Sequence, residues 1–209
     1  MGGKEEFIAK LKELEQREWD VQGIEARFKS LEKAGIPGKT LNREQIVADK
    51  HNILDRVQRH AEEYNFLLKN CAQSTALALL EEFGLGNMQI IKALTNFPGI
   101  GGTGEMCGAV TGSLIAFGLY FANDDMLDCE AKGATMVNAQ KFIALFKDKM
   151  GYLHCAEIQE NIIFGRNMDP GASEDNMKAF AEAKGFEKCG LAPGFGARLA
   201  AEFIVNSMS

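Results

Sequence analysis

The chain has 209 residues, a formal net charge of −6 and 46% hydrophobic residues, so it is long and apolar enough to bury one sizeable core. The acidic balance argues against nucleic-acid binding, because phosphate contacts need a surplus of Lys and Arg. The longest nearly apolar segment, residues 109–122, is shorter than the roughly 20 residues that a membrane span needs. Since the first residues also lack the apolar centre of a signal peptide, the sequence predicts a cytoplasmic protein without membrane contact.

Residues 1–40 have the pattern of a helical arm. Phe7, Leu11 and Leu14 recur at helical spacing in a charge-rich segment. A second apolar stripe consists of Val21, Ile24, Phe28 and Leu31. The run Gly-Ile-Pro-Gly at 35–38 ends this helical pattern. We expect the arm to pack on the main body or on a second copy of the chain, so a homodimer is one partner hypothesis.

Residues 41–209 are predicted to form a cysteine-bearing helical domain. Helical periodicity predicts one helix from about 43 to 69, with Asn42 as its N-cap. Further helices are predicted over 76–83, 88–94, 105–121, 130–150, 154–163, 174–184 and 196–207. In the long helix the predicted inward residues are Met136, Val137, Phe142, Ile143 and Phe146. Because period-two alternation is scarce, the sequence predicts an all-α fold, a helical bundle with an N-terminal arm.

Five cysteines are spread along the chain: Cys71, Cys107, Cys129, Cys155 and Cys189. An odd number at such wide spacing is not typical of a disulfide framework. In a reducing compartment each thiol is a buried filler, a metal ligand or a redox group. Cys129 lies in the acidic segment 124–130 and is therefore expected to be peripheral.

The loop after Pro98 matches the dinucleotide-binding fingerprint at Gly99, Gly101 and Gly104. Asp124 follows at about the spacing at which an acidic residue binds the ribose of such cofactors. The fingerprint must follow a β-strand, however, and the residues before this loop have a helical pattern. A nucleotide cofactor is therefore only a minor alternative.

Small residues recur every four positions after this loop, at Gly104, Gly108, Gly112 and Ala116. Glycine inside a helix costs roughly 1 kcal/mol relative to alanine, so this stripe indicates a steric demand on one helix face. At Gly112 we expect close helix packing, and at Gly108 the approach of a bulky group beside Cys107. If Thr103 or Gly104 caps a helix that begins near residue 105, Cys107 lies in its first turn. Free N–H groups there would lower the pKa of its thiol.

A resemblance to a known family rests on two segments followed by Cys155 and Cys189. The segments are Asn70-Cys71-Ala72-Gln73 and Gly104-Glu105-Met106-Cys107-Gly108-Ala109-Val110-Thr111-Gly112. They resemble the C_GCAxxG_C_C family of redox-active proteins over roughly residues 60–205, which leaves out the arm. The family name has Gly-Cys-Ala where this chain has Met106-Cys107-Gly108-Ala109. The family is similar to the iron–sulfur part of split-Soret cytochromes c. Their haem motif Cys-x-x-Cys-His is absent from this sequence.

The resemblance implies that Cys71, Cys107, Cys155 and Cys189 hold an iron–sulfur cluster, and a 2Fe–2S cluster is the first candidate. It places Gly104 and Gly108 against this cofactor. The function it implies is electron transfer or reductive chemistry, with a redox partner protein or a small-molecule substrate, and oxidoreductase activity stays open. Zinc is less favoured because paired C-x-x-C knuckles are absent. The alternatives are a thiol–disulfide oxidoreductase that uses Cys107 with a second cysteine, and an interaction module with structural cysteines.

Overall fold

The computed structural model describes residues 3–208, and regular structure within this range is helical. The helices are α1 (Lys4–Gln16), α2 (Val21–Ala34), α3 (Arg43–Ala48), α4 (Lys50–Leu68), α5 (Cys71–Phe83), α6 (Met88–Ala93), α7 (Gly99–Gly102), α8 (Gly108–Phe121), α9 (Cys129–Met150), α10 (Cys155–Ile158), α11 (Glu174–Glu182), α12 (Gly185–Lys188) and α13 (Leu191–Asn206). A 3-10 turn spans Leu94–Asn96 and a π-helical turn spans Gln159–Ile163. The predicted all-α fold is confirmed, since residues 3–208 contain no β-strand.

Four helices, α4, α5, α8 and α13, pack against one another at the centre of the bundle. Helix α5 is the most enclosed of them, because every side chain from Ser74 to Leu80 is buried. The composition of α5 explains this position, because its alanine and leucine residues occur on all faces of the helix. A helix that is apolar on all faces is stable only inside a core. Helix α9 packs along α8 and α13 through Phe142, Phe146 and Met150.

Helices α5 and α8 cross closely because Gly112 has no side chain. A methyl group at Gly112 would lie 2.5 Å from the carbonyl oxygen of Ala72 and 3.0 Å from Cβ of Thr75. Both distances are shorter than van der Waals contact, so any larger residue would push the two helices apart. The close packing expected at Gly112 is therefore observed. This crossing holds the N-terminus of α8 against the N-terminus of α5.

The N-terminal arm packs on the bundle through α1 and α2. Phe7, Leu11 and Leu14 of α1 are buried, as are Ile24 and Leu31 of α2, and four of these residues belong to the main core cluster. The apolar stripe of α2 is thus largely covered within the chain, although Val21 is exposed. The arm and the cysteine-bearing segment share one hydrophobic core.

A buried carboxylate ties the arm to the bundle. Glu62 of α4 is only 1% exposed, and its oxygens lie 2.9 Å from the Lys10 ammonium and 2.6 Å from the Arg17 guanidinium. Gln58 donates a third hydrogen bond to the same carboxylate. Both cations come from α1 or the residue that follows it. A buried carboxylate needs such partners, because an unpaired charge in the interior is strongly destabilising.

Replacing Lys10 and Arg17 together by methionine is expected to lower the free energy of unfolding by about 3–5 kcal/mol, the usual cost of leaving a buried charge unpaired. Urea unfolding followed by circular dichroism measures this change. The matched control is Lys29→Met, which removes an exposed ion pair with Glu25 and should leave the free energy of unfolding nearly unchanged. Equal stability of the double variant and the control would show that Glu62 does not depend on the arm.

Helix boundaries near the first cysteine differ from the predicted ones. The predicted helix 43–69 is divided at Asp49, and its second part ends at Lys69, whose φ of 55° is left-handed. The next helix then begins at Cys71, not at residue 76, because the Asn70 side chain accepts the N–H of Gln73 and caps it. The left-handed residue reverses the chain direction and sets the position of Cys71.

Two other predictions are corrected by the structure. Met136 and Val137 of α9 are 65% and 46% exposed instead of inward, because only the C-terminal half of α9 contacts the bundle closely. Helix α13 begins at Leu191, five residues before the predicted start, since Pro193 falls in its first turn, where proline needs no N–H partner. Among residues 3–208, no helix combines the length and the apolarity that a membrane crossing requires.

Candidate thiol site

The four cysteines of the family pattern each lie at a helix boundary. Cys71 and Cys155 are the first residues of α5 and α10, and Cys107 is the N-cap of α8. Cys189 ends α12 and comes two residues before α13. Helix α8 begins at Gly108 and not near residue 105 as predicted, because the preceding residues form an extended pairing instead of a helical turn.

A cavity of about 130 Å³ brings three of these thiols together. Its wall includes Cys71 and Cys155, the first residues of α5 and α10, and Cys189, the C-cap of α12. Gly99, Gly102 and Gly104 of the glycine loop close one side of the cavity, and Phe180 and Phe186 line another. Residues more than 100 positions apart in the sequence thus face one space.

The fourth thiol, Cys107, is not among the residues that line this cavity and directly precedes Gly108, which packs against Cys71. Cys107 is 3% exposed, and a hydrogen bond with Cys71 shifts the pKa values of both thiols. A methyl group at Gly108 would overlap the Cys71 sulfur and would lie 2.6 Å from the backbone nitrogen of Ala72. The bulky group expected beside Gly108 is therefore the Cys71 thiol itself. Gly104 has a different place, since it borders the cavity and packs on Ala156.

Backbone hydrogen bonds join the segment of Cys107 to the segment of Cys155. The Cys107 N–H donates to the Leu153 carbonyl over 2.9 Å, and the Cys155 N–H donates to the Glu105 carbonyl over 2.7 Å. A third bond of 3.0 Å runs from the Ala156 N–H to the Gly104 carbonyl. Gly104 reaches this position with a φ of +81°, which a side chain would disfavour. These bonds hold the two cysteine segments side by side before any ligand binds.

Cys71 is the thiol whose anionic form the structure favours. The Cys107 thiol donates a hydrogen bond to it, and the backbone N–H groups of Gly108 and Ala72 add to this effect, so the pKa of Cys71 is lowered. These N–H groups belong to the free N-terminal ends of α8 and α5, where helix dipoles favour negative charge. Two helix N-termini therefore converge on one sulfur.

The lowered pKa was expected at Cys107, and this expectation is wrong. The hydrogen bond with Cys71 favours the protonated form of Cys107, and burial acts in the same direction, so its pKa is raised well above the usual value. Burial, with smaller contributions from the Cys71 and Asp169 charges, raises the pKa of Cys155 to about 12. Burial also raises the pKa of Cys189, assisted by the charges of Cys155 and Cys71. The surroundings thus favour the thiolate form at Cys71 and the protonated form at the other three cysteines.

Alkylation of the reduced, metal-free protein should follow this order of pKa values. Near pH 8 we expect Cys71 to react with iodoacetamide ahead of Cys155 and Cys189, because the thiolate is the nucleophile and only Cys71 has a lowered pKa. The exposed Cys129 serves as an internal reference. Mass spectrometry of timed samples gives the order, and in urea the five rates should converge. Faster reaction of Cys155 or Cys189 than of Cys71 would contradict the assignment.

One buried amide at the site was not found by sequence analysis. Gln159 is 6% exposed, lines the cavity and donates to the Cys155 sulfur over 3.8 Å. The only available signal was its spacing, since a residue four positions after Cys155 lies on the same face of a helix. Cys129, in contrast, is exposed at the start of α9, with Asp128 as the N-cap, in agreement with its expected peripheral position.

The glycine loop does not have the setting of a dinucleotide site. The residues before it form the 3-10 turn Leu94–Asn96, where the fingerprint requires a β-strand. The loop instead contributes left-handed residues at Gly99, Gly101, Gly102 and Gly104, which fold it over the thiols. A side chain at Gly99 would crowd Cys155, because its Cβ would lie only 3.3 Å from Cβ of Cys155.

The positions of the possible donor side chains bear on which metal site could form here. In the part of the chain from residue 3 to residue 208, no three His, Cys, Asp or Glu side chains are arranged to hold a metal ion. A single zinc ion needs four ligands within roughly 2.3 Å of one point, which this arrangement does not provide. An iron–sulfur cluster spreads its thiolate ligands over several iron atoms. Thiols are the donor type that such a cluster uses, and three of the four line one cavity.

The fold and the gathered thiols define a helical thiol protein, and comparison with known families specifies it further. A family model with the description "Putative redox-active protein (C_GCAxxG_C_C)" matches residues 69–203, more than half of the chain. The chain therefore belongs to the C_GCAxxG_C_C family. The matched range contains all five cysteines and excludes the arm. No curated protein and no solved structure matches the chain.

Proposed function

We propose that this redox-family protein holds an iron–sulfur cluster on Cys71, Cys107, Cys155 and Cys189, with a 2Fe–2S cluster as the first candidate. The protein would use this cluster for electron transfer or reductive chemistry. The proposal rests mainly on one observation: three of these thiols face one cavity, and the fourth, Cys107, directly precedes Gly108, which lies against the Cys71 sulfur. The cluster would supply a one-electron couple. Its counterpart would be a redox partner protein or a small-molecule substrate.

The residues around the thiols have roles that support this proposal. N–H groups of Gly108 and Ala72 face the Cys71 sulfur and stabilise its anionic form. The glycine loop and Phe186 line the cavity beside the thiols. Ligation requires Cys107, Cys155 and Cys189 to release their protons. Because the pKa values of these thiols are raised, proton release is unfavourable at neutral pH and becomes more favourable as the pH rises. Metal uptake by the reduced protein should therefore improve from neutral to alkaline pH.

Thiol protection tests the proposal directly. After anaerobic reconstitution with ferrous iron and sulfide, the four ligand cysteines should be shielded from iodoacetamide, whereas the exposed Cys129 should still react. Removing the iron with a chelator should restore the reactivity of Cys71. An identical labelling pattern with and without iron would contradict the proposed ligand set.

A dithiol–disulfide couple is the second candidate function, and the contact between Cys71 and Cys107 favours it. In this couple the two thiols would form one S–S bond and release two electrons and two protons to an oxidant such as a disulfide substrate. Cys71, with its lowered pKa, would be the attacking thiol, which replaces the role first expected for Cys107. A Cys71–Cys107 disulfide in mass spectra of the oxidised protein, together with a lack of iron, would favour this function over the cluster.

A further inference from the structure

Gln159 occupies a defined position between the thiol cavity and the segment after α10. It is the first residue of the π-helical turn Gln159–Ile163, four positions after Cys155. Its side chain is 6% exposed and borders the cavity that also contains Cys71 and Cys189. A buried primary amide needs partners for its oxygen and its nitrogen, and each of these atoms has one here.

The orientation of the Gln159 amide follows from its hydrogen bonds. The backbone N–H of Met168 donates to Oε1 over 2.8 Å, which only an oxygen can accept. Nε2 must therefore face the other way, and it lies 3.8 Å from the Cys155 sulfur. Because Met168 is also buried, the amide is held in this direction by the surrounding structure. The N–H donor is in place before any ligand binds.

We infer that Gln159 is a positioning residue that orients Cys155 and sets the reduction potential of the thiol site. An N–H group aimed at a ligand sulfur stabilises the reduced form, because that form carries more negative charge. Loss of the donor would therefore lower the reduction potential. This inference rests on the proposed cluster for its first test, and on the thiols alone for its second.

The first test compares the reduction potentials of three variants in anaerobically purified, iron-loaded protein at pH 8.5. Gln159→Met removes both hydrogen bonds, and Gln159→Glu keeps an acceptor for the Met168 N–H but replaces the donor with a carboxylate oxygen. We expect both to shift the one-electron equilibrium toward the oxidised form by at least about threefold, or roughly 28 mV. Asn161→Met is the matched control, since Asn161 lies in the same π-helical turn and its exposed amide bonds only to the Glu157 carbonyl.

The potentials of the two Gln159 variants show whether the N–H donor of Gln159 or only the packing of its side chain affects the site. Unchanged potentials in both Gln159 variants would overturn the inference. A shift in Gln159→Met alone would also overturn it, because the packing around Met168 and not the N–H donor would then be responsible. Should Gln159→Met fail to fold, an unchanged potential in Gln159→Glu, relative to the wild type and the control, would still overturn the inference.

The second test keeps this inference distinguishable from the cluster proposal. If wild-type protein carries no iron, the cluster proposal fails, and the rate of Cys155 alkylation in the reduced protein is measured relative to that of Cys129. Both Gln159 variants should change this ratio by at least about threefold, because the amide that lies against the Cys155 sulfur and holds it in place is lost. Asn161→Met should leave the ratio unchanged. Equal ratios in all variants would overturn the inference for the thiols as well.

Discussion

Replacing Cys71, Cys107, Cys155 or Cys189 singly by serine is expected to reduce the iron bound per folded chain by more than about tenfold. Even residues that only support metal ligands change metal affinity by about 10–100-fold, so the loss of a ligand should have at least this effect. Cys129→Ser is the matched control, because Cys129 is exposed and does not border the cavity. Iron and sulfide assays after anaerobic purification measure the change, and circular dichroism verifies folding.

The pattern among the five serine variants decides between the functions. Loss of iron in the four variants with retention in Cys129→Ser supports one shared site. Full iron in all five variants would contradict it. If iron is absent throughout and only Cys71→Ser and Cys107→Ser abolish thiol–disulfide exchange, the dithiol couple replaces the cluster.

Gly108→Leu is expected to abolish iron binding and to lower stability by about 3 kcal/mol, the upper end of the usual cost of overpacking. A side chain there would overlap the Cys71 sulfur and approach the Ala72 nitrogen to 2.6 Å, so α8 and the first turn of α5 could not both keep their positions. It would also displace the Gly108 N–H that stabilises the Cys71 thiolate.

Gly118→Leu provides a matched control for this substitution. It lies on the same helix, but no atom lies within 4 Å of the position its Cβ would take. We expect its iron content to equal that of the wild type and its stability to change by less than about 0.5 kcal/mol. Iron per folded molecule and urea unfolding measure both effects. Equal iron loss in the two variants would mean that Gly108 has no special relation to the thiol site.

Much of the fold could be predicted from the sequence because its helices have clear local signals. Asn42 and Asp128 cap helices through their side chains, and Phe142 and Phe146 follow helical spacing into the core. The exposure of Met136 and Val137 could not be predicted in this way. Periodicity shows which face of α9 is apolar, but only tertiary packing determines how far along the helix that face is covered.

The positions of the thiols were predictable to a lesser degree than their identity. The resemblance to a known family singled out four cysteines, and the small residue at Gly108 indicated that something bulky lies beside it. The assignment of the lowered pKa to Cys107 was wrong, because a pKa depends on which of two touching thiols donates and which accepts. That relation is set by the crossing of α5 and α8, which one-dimensional spacing does not contain.

The polar residues that support the site were the least predictable part. Glu62 has the sequence setting of a surface carboxylate on an amphipathic helix, yet it is buried because Lys10 and Arg17 from the arm reach it. Gln159 likewise becomes a donor to Cys155 only because the Met168 N–H holds its oxygen. Both roles depend on partners that are distant in the sequence or follow an irregular turn.

The iron and sulfide content of the wild-type chain, measured together with its electron paramagnetic resonance spectrum after anaerobic purification, tests the central claim most directly. A 2Fe–2S site predicts about two irons and two sulfides per chain, a brown protein and a spin-one-half signal that appears on reduction with dithionite. A colourless protein that stays free of iron and sulfide after anaerobic reconstitution, with all five thiols open to alkylation, would contradict it.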